Sequence, residues 1–332
     1  IKRSIESDGN IKPEVYNLLN NLPEEVLHHK SYGLLHPLWI YNRSLSRITD
    51  AFSDVLTEIK RFKKDIGPIG VHSKEHVSFE SLNLLKAQKE LLYSFQSHID
   101  DCYHILKVTS PYPNMDKINS KNKKSGKRSP NQWLYHSKHP TVSFFQKNIQ
   151  HYKSFIDLTV NKLKHEHARL RDIILVNEFE MRMGYFVETS GVDEEEVFVG
   201  PDPVIHPKGD VFSYSRDLSF HFYNLYEVSH HLKNAIIGSA KKQGNLSLKD
   251  NSYLKENSRE LNEIVESICK LNLRFFPKEY LKPIPVVEWD QDTLFLSLDE
   301  HFRLNSDFFG VIRKLVSFTP DGTTKTFRFP IG

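Results

Sequence analysis

The chain has 332 residues, of which 39% are hydrophobic and 26% are charged, with a formal net charge of +3 and a pI near 8.6. This length allows a sizeable core and about two domains, and the composition is that of a folded globular protein. The charge is too mild to indicate nucleic-acid binding by itself.

The cysteines and the hydropathy of the sequence indicate the cellular compartment of the protein. Cys102 and Cys269 are the only cysteines and form no CxxC spacing, which argues for a reducing compartment and against a disulfide framework or a sulfur-based zinc site. No run approaches ~18 consecutive apolar residues, and residues 1–15 contain no apolar signal core. We therefore expect a cytoplasmic protein with no membrane partner.

Apolar residues at steps of three and four predict four long helices, at residues 38–64, 78–107, 141–167 and 210–243. The second helix carries the apolar stripe Leu85, Leu92, Phe95, Ile99, Cys102 and Leu106. Gly67-Pro68 separates the first two helices, so we predict that they form an antiparallel hairpin.

Between the third and fourth helices the period changes from that of a helix to that of strands. Residues 170–180, 184–188 and 196–199 predict short strands, with turn signals at Gly184, Ser190-Gly191 and residues 200–203. A fifth helix is predicted at 252–274. Extended segments follow from residue 283, and Pro320-Asp321-Gly322 joins the last two of them as a hairpin.

The predicted fold class is therefore mainly α (α+β): a long-helix bundle with a small β insertion and a C-terminal helix plus antiparallel strands. Residues 1–30 are predicted to be an N-terminal extension, 31–245 the four-helix bundle with the β insertion at about 170–206, and 246–332 the C-terminal segment. The sequence leaves open whether the bundle and the C-terminal segment pack as one unit.

A basic loop at 109–140 allows two interpretations. It contains Lys117, Lys121, Lys123, Lys124, Lys127 and Arg128 among Ser, Asn and Gly residues. Such a loop is either a solvated excursion or an arm that contacts phosphates.

The motif that carries most chemistry is Arg216-Asp217-Leu218-Ser219-Phe220-His221, at the start of the fourth helix. A guanidinium can bind a phosphate through two hydrogen bonds, and a histidine that titrates near neutrality can move a proton. Arg216 and His221 would suffice to cleave RNA, where the 2′-hydroxyl is the internal nucleophile and no metal is needed.

Arg, a polar residue, three further residues and His, within a four-helix bundle, resemble the motif of the HEPN superfamily. The resemblance implies a metal-independent endoribonuclease, or an RNase-derived protein, of a bacterial toxin–antitoxin or phage-defence system. It implies that Arg216 holds the scissile phosphate, that Asp217 orients the site and that His221 is the acid–base. It also implies RNA as a partner, an antitoxin or other protein partner, and a homodimer in which two motifs face one cleft.

A second polar cluster ends the third helix, where Asn161 and His165 are four residues apart and share one face. It resembles a degenerate copy of the motif, with Val160 in place of the arginine. Because the β insertion joins the end of this helix to the start of the fourth, we expect the two clusters to meet. Asn161, Lys164 and His165, with Lys123, Lys124 and Arg128 of the basic loop, are the predicted substrate-binding residues.

Two other hypotheses stay open. The chain is a non-catalytic helical interaction or sensing protein if Arg216 and His221 are buried against apolar neighbours. It is a metal-dependent hydrolase if histidines bind zinc, and the string His72-Ser73-Lys74-Glu75-His76 matches that of inverted zinc peptidases. The pairs His165/His167 and His230/His231 could also be metal ligands, but HxH on a helix points its two side chains apart, so His165/His167 suits chelation only if the helix has already ended. No P-loop, Rossmann or nucleophile-elbow motif is present, so we predict neither a metal nor a cofactor.

Overall fold

A computed structural model gives the architecture of the chain. The residues that the structure describes are 2–4, 11–66, 82–110, 140–166, 168–176, 181–193, 196–207, 210–242, 244, 259–271, 274–290, 293–299, 315–318 and 324–327. Several predicted features lie outside these residues. They are the turn at Gly67-Pro68, the string from His72 to His76, the basic loop with Lys123, Lys124 and Arg128, His167, residues 252–258 of the predicted fifth helix, and the hairpin turn at 320–322.

The fold is mainly α, as predicted, and the four long helices are confirmed. The helices of the described chain are α1 (Val15–Asn20), α2 (His29–Tyr32), α3 (Pro37–Ile66), α4 (Leu82–Val108), α5 (Pro140–His165), α6 (Tyr214–Lys242) and α7 (Arg259–Cys269), with short 3₁₀ helices at Glu24–Val26 and Pro277–Leu281. None of these helices combines the length and the apolar character needed to span a membrane.

In the described part of the chain, three antiparallel sheets accompany the helices. The strands are β1 (Lys2–Ser4), β2 (Arg169–Val176), β3 (Met181–Asp193), β4 (Glu196–Pro201), β5 (Phe212–Ser213), β6 (Ile284–Trp289), β7 (Thr293–Asp299), β8 (Leu315–Phe318) and β9 (Thr324–Phe327). β2, β3 and β4 form the predicted insertion, with β5 also paired to β3. β7 lies between β6 and β1, and β8 pairs with β9. The pairing of β1 with the C-terminal sheet was not predicted.

The helices pack because each places its apolar stripe on a neighbour. α3 packs along α4, and α5 packs against α6 and α4. Phe52, Phe95 and Phe222 meet edge to face at the centre, with ring centroids 5.8 and 6.0 Å from Phe52.

Residues of the N-terminal segment and the C-terminal segment join the same hydrophobic core as the bundle. Ile11 and Val15 are wholly buried, and so are Val265 of α7 and Leu294 of β7. The described parts of all three segments therefore share one core. The boundaries proposed near residues 30 and 245 stay a prediction.

Two predicted boundaries near the insertion are wrong because strand pairing continues through them. The fourth helix begins at Tyr214 rather than at 210, because residues 212 and 213 pair with Tyr185 and Gly184 of β3. β3 also runs unbroken through the turn signals at Gly184 and Ser190-Gly191. A Cβ at position 184 would lie 2.0 Å from the carbonyl oxygen of Phe212. Gly184 is thus a point of close backbone approach inside a strand.

Candidate functional site

The motif lies at the junction of β5 and α6. The hydroxyl of Ser213 accepts a hydrogen bond from the backbone N–H of Arg216 at 3.4 Å, as an N-cap residue does. Asp217 follows in the first turn of α6, where a negative charge is favoured by the helix dipole. The local sequence therefore fixes where Arg216, Asp217 and His221 point.

Arg216 is buried and makes one described side-chain hydrogen bond, while its Nε has no partner among the described residues. Its side chain is buried, one terminal nitrogen donates to the carbonyl oxygen of Pro283 at 2.8 Å, and the guanidinium lies 5.8 Å from the ring centroid of Phe220. The charge of Arg216 also lowers the pKa of the buried Glu279 carboxyl, against the larger effect of burial, which raises that pKa to about 7. The guanidinium thus ties α6 to the C-terminal segment.

Asp217 is the centre of a buried hydrogen-bond network. Its Oδ2 accepts hydrogen bonds from the Gln88 amide of α4 and from the Tyr185 hydroxyl of β3, both at 2.9 Å. Gln88 also donates to the Tyr185 hydroxyl at 3.1 Å. His221 places Nε2 3.4 Å from the same carboxylate oxygen, but the two atoms are not aligned as a hydrogen bond. Asp217 thus links three elements of the core.

His221 is wholly buried among aromatic rings. Its imidazole stacks on Phe95 with centroids 5.0 Å apart and planes at 23°, and Phe155 and Phe220 pack beside it. On the remaining side its Nδ1 lies 2.8 Å from the hydroxyl of Tyr152. No edge of the imidazole faces solvent.

Two tyrosines of the network, Tyr152 and Tyr185, hold their hydroxyl protons. Burial raises the pKa of both hydroxyls well above their ordinary value, and the charge of Asp217 raises both further. Tyr185 donates its proton to the Asp217 carboxylate, while Tyr152 shares a hydrogen bond with Nδ1 of His221.

Asn161, Lys164 and His165 lie elsewhere, on the exposed surface of α5. Lys164 donates to Gln96 of α4 at 2.8 Å, and no described hydrogen bond or ion pair joins these three residues to Arg216 or His221. The expected meeting point is displaced because Phe155 already packs on Phe212 at 5.7 Å, and α5 continues past this contact to His165. The structure does not bring the two predicted clusters into one open cleft.

A groove of about 210 Å³ lies between α5 and α6, with Tyr152 in its lining. Glu227 on one wall lies 3.4 Å from Nε2 of His231. Hydrogen bonding to His231 lowers the pKa of Glu227, while burial first and Glu227 second raise the pKa of Tyr223 to about 12. These polar groups are already paired with one another.

Predicted metal ligands are not brought together in the part of the chain that the structure describes. Within those ranges no group of three or more His, Cys, Asp or Glu side chains is arranged to hold a metal ion. His230 lies 3.0 Å from the Asn234 amide and His231 faces Glu227, so the adjacent histidines have separate partners.

Sequence reasoning missed Gln88 and Tyr185, and it treated Tyr152 as a plain apolar position. A signal for Gln88 exists. The apolar stripe of α4 steps from Leu85 to Leu92, and Gln88 occupies the position between them where an apolar residue is expected. A polar residue at a core position of a helix indicates a buried partner.

Fold and site together define a mainly α protein with a polar network in its core. Comparison of the chain with protein-family models, with curated proteins and with solved structures finds no match in any of the three. The HEPN resemblance therefore depends on the residues of the motif and on the helical architecture alone, and it stays a prediction.

Proposed function

We propose that this chain is a non-catalytic helical interaction or sensing protein, in which Arg216, Asp217 and His221 hold the helices in register. The observation that carries the proposal is the complete burial of the His221 imidazole, with Nδ1 hydrogen-bonded to Tyr152. The motif would then be a structural polar core, which is the second of the hypotheses drawn from the sequence.

The chemistry of RNA cleavage explains why burial matters. An acid–base histidine has to lie within hydrogen-bond reach of the proton that it transfers, and a phosphate-binding arginine needs free N–H groups facing the substrate. Here His221 is enclosed by rings, and Arg216 donates to Pro283. Opening the core would leave several buried polar groups unpaired, at about 1–3 kcal/mol each.

The proposal also covers the cellular location of the protein and its binding partners. Cys102 and Cys269 are both free thiols, which suits a reducing cytoplasmic compartment. RNA, an antitoxin or other protein partner, and a homodimer are the partners that the family resemblance implies. We retain RNA as a bound partner rather than as a substrate.

Cleavage and growth arrest test the proposal. We expect purified wild type to leave a labelled RNA intact, and expression of the chain not to arrest growth through RNA decay. The matched variants are His221→Gln in the core and His165→Gln on the exposed surface of α5. His221→Gln should lower the unfolding midpoint, while His165→Gln should leave it unchanged.

The proposal is overturned if wild type cleaves RNA and a folded His221→Gln protein does not. Circular dichroism of both variants distinguishes lost catalysis from lost folding. Cleavage that survives in both variants points to a contaminating nuclease or to another site, and the core role of His221 then depends on the unfolding midpoints alone.

A further inference from the structure

Two lysines from different helices converge on one tyrosine ring at the surface. The ammonium group of Lys89 on α4 lies 5.4 Å from the ring centroid of Tyr93, and that of Lys164 on α5 lies 4.7 Å from it. The two ammonium groups are therefore no more than about 10 Å apart. Lys86 is exposed one turn earlier on α4. We call Lys86, Lys89, Tyr93 and Lys164 the lysine–tyrosine surface.

The charge of this surface is not neutralised within the part of the chain that the structure describes. Lys164 donates to the neutral amide oxygen of Gln96, and no described carboxylate lies in ion-pair range of Lys86, Lys89 or Lys164. Glu90 is exposed on the same stretch of α4 but forms no described ion pair. Two positive charges at most about 10 Å apart repel each other, because the Debye length of about 8 Å at physiological salt screens them only in part. A bound anion would relieve that repulsion.

Tyr93 indicates which kind of anion fits. Its side chain is partly exposed, and the ammonium groups of Lys89 and Lys164 lie over its ring. A base would stack on this ring as a lysine moves from the ring to a phosphate of the same strand. Stacking of a base on an aromatic side chain is tolerant of sequence because every base has a π-face, and lysines beside the ring meet the phosphates. An acidic peptide supplies the charge but has no group that needs the ring.

The core network holds this surface in place. Gln88 precedes Lys89 in the same turn of α4 and donates inward to Asp217, while Lys89 points outward to Tyr93. The position of Lys89 is thereby coupled to the buried network, and Lys164 joins α5 to the same surface through Gln96.

We infer that the lysine–tyrosine surface binds single-stranded nucleic acid, with phosphates on Lys89 and Lys164 and a base stacked on Tyr93. This inference deepens the proposed function, on which it rests, by assigning the binding of nucleic acid to this surface and to a single strand.

Fluorescence anisotropy of the full chain with labelled 15-mers of uridine and of deoxythymidine measures the binding. Comparison of the two strands shows whether the surface binds RNA, DNA or both. The key variant is Lys89→Gln/Lys164→Gln, and the matched control with the same loss of charge is Lys241→Gln/Lys242→Gln, at exposed positions in the last turn of α6. Tyr93→Leu removes the ring, and Tyr93→Phe keeps it.

Wild type should bind at least one of the two strands, and the Lys89/Lys164 variant should bind about tenfold or more weakly. That variant should also flatten the slope of log K against log salt by about 1.4, since each single-strand phosphate contact contributes about 0.7. Tyr93→Leu should weaken binding by about tenfold and Tyr93→Phe by little. The control pair should stay close to wild type.

The inference is overturned by absent binding, by equal losses in the two lysine pairs, by an unaffected Tyr93→Leu protein, or by equal binding of polyglutamate. The last outcome would assign the surface to an acidic protein. Gel analysis of the bound strand keeps this test distinct from that of the proposed function. Bound but cleaved RNA rejects the non-catalytic proposal alone, and intact RNA with no binding of either strand rejects the surface alone.

Discussion

The hydroxyl of Tyr152 on α5 lies 2.8 Å from Nδ1 of His221 on α6, at a point where neither side chain meets solvent. A hydrogen bond of this kind contributes little net free energy while both partners are present. Breaking it from one side is costly, because the other buried group loses its partner. Tyr152 and His221 therefore specify how α5 packs on α6.

A double-mutant cycle tests this role. Tyr152→Phe and His221→Phe should each lower the free energy of unfolding by roughly 1–3 kcal/mol, because each leaves a buried polar atom unpaired. The double variant should lose less than the sum of the single losses, with a coupling above about 0.5 kcal/mol. Urea unfolding measures all four proteins. Strict additivity would show that the two side chains do not act as a pair.

Gly184 gives a second prediction. Gly184→Ala should destabilise the protein by several kcal/mol or detach β5 from β3, because the added Cβ would collide with the Phe212 carbonyl. Gly238→Ala is the control, since no atom lies within 4 Å of its added Cβ and the position is inside α6. That change should be neutral or stabilise by up to about 1 kcal/mol. Similar midpoints for both variants in thermal unfolding would refute the close approach.

The buried carboxyl group of Glu279 should make the free energy of unfolding depend on pH. Burial raises its pKa to about 7, so the folded state holds a proton that the unfolded chain releases near its ordinary pKa. The free energy of unfolding should therefore fall as pH rises from about 4.5 to 7, by about 3 kcal/mol in total. Glu279→Gln should remove that fall. Unfolding of wild type, Glu279→Gln and the exposed control Glu25→Gln at several pH values compares the slopes, and parallel curves would contradict the prediction.

The buried imidazole of His98 should give a pH dependence of stability with the opposite sign. Its Nδ1 lies 2.9 Å from the Ser44 hydroxyl inside the core, and burial lowers its pKa to about 4. The unfolded chain takes up a proton near 6.5 and the folded chain does not, so stability should be lost as pH falls from 6.5 to 4. His98→Gln should lessen this acid loss by roughly 3 kcal/mol, and exposed His151→Gln should not. An unchanged acid limb of the stability profile would mean that His98 is protonated in the fold.

The helices could be predicted because apolar residues recur every three or four positions, and a short stretch of sequence is enough to show this pattern. The course of β3 could not be predicted. Glycine is needed at position 184 because the carbonyl group of Phe212 lies against it, and the sequence does not show that these two residues meet. Glycine is favoured both in turns and where another backbone segment lies close by. Only the tertiary structure shows which of these two reasons applies at position 184.

The proximity of Asp217 and His221 could be predicted, while their role as a site stays a prediction. The spacing of Asp217 and His221 places them on one face of a helix, and the structure puts them 3.4 Å apart. The sequence could not show that this face is inside, because α6 is packed on several sides, by α4, α5, β3 and β6. Asp217 and His221 therefore face the interior, where the Asp217 carboxylate accepts hydrogen bonds from Gln88 and Tyr185.

Histidine acylation measures the burial of His221 most directly. Diethyl pyrocarbonate modifies accessible imidazoles, and His165 and His151 are exposed internal references on the same protein. Mass spectrometry of the native chain should find both references modified while His221 stays unmodified until urea unfolds the protein. Modification of His221 at the rate of the references in the folded protein would contradict the burial of the motif and restore the catalytic hypothesis.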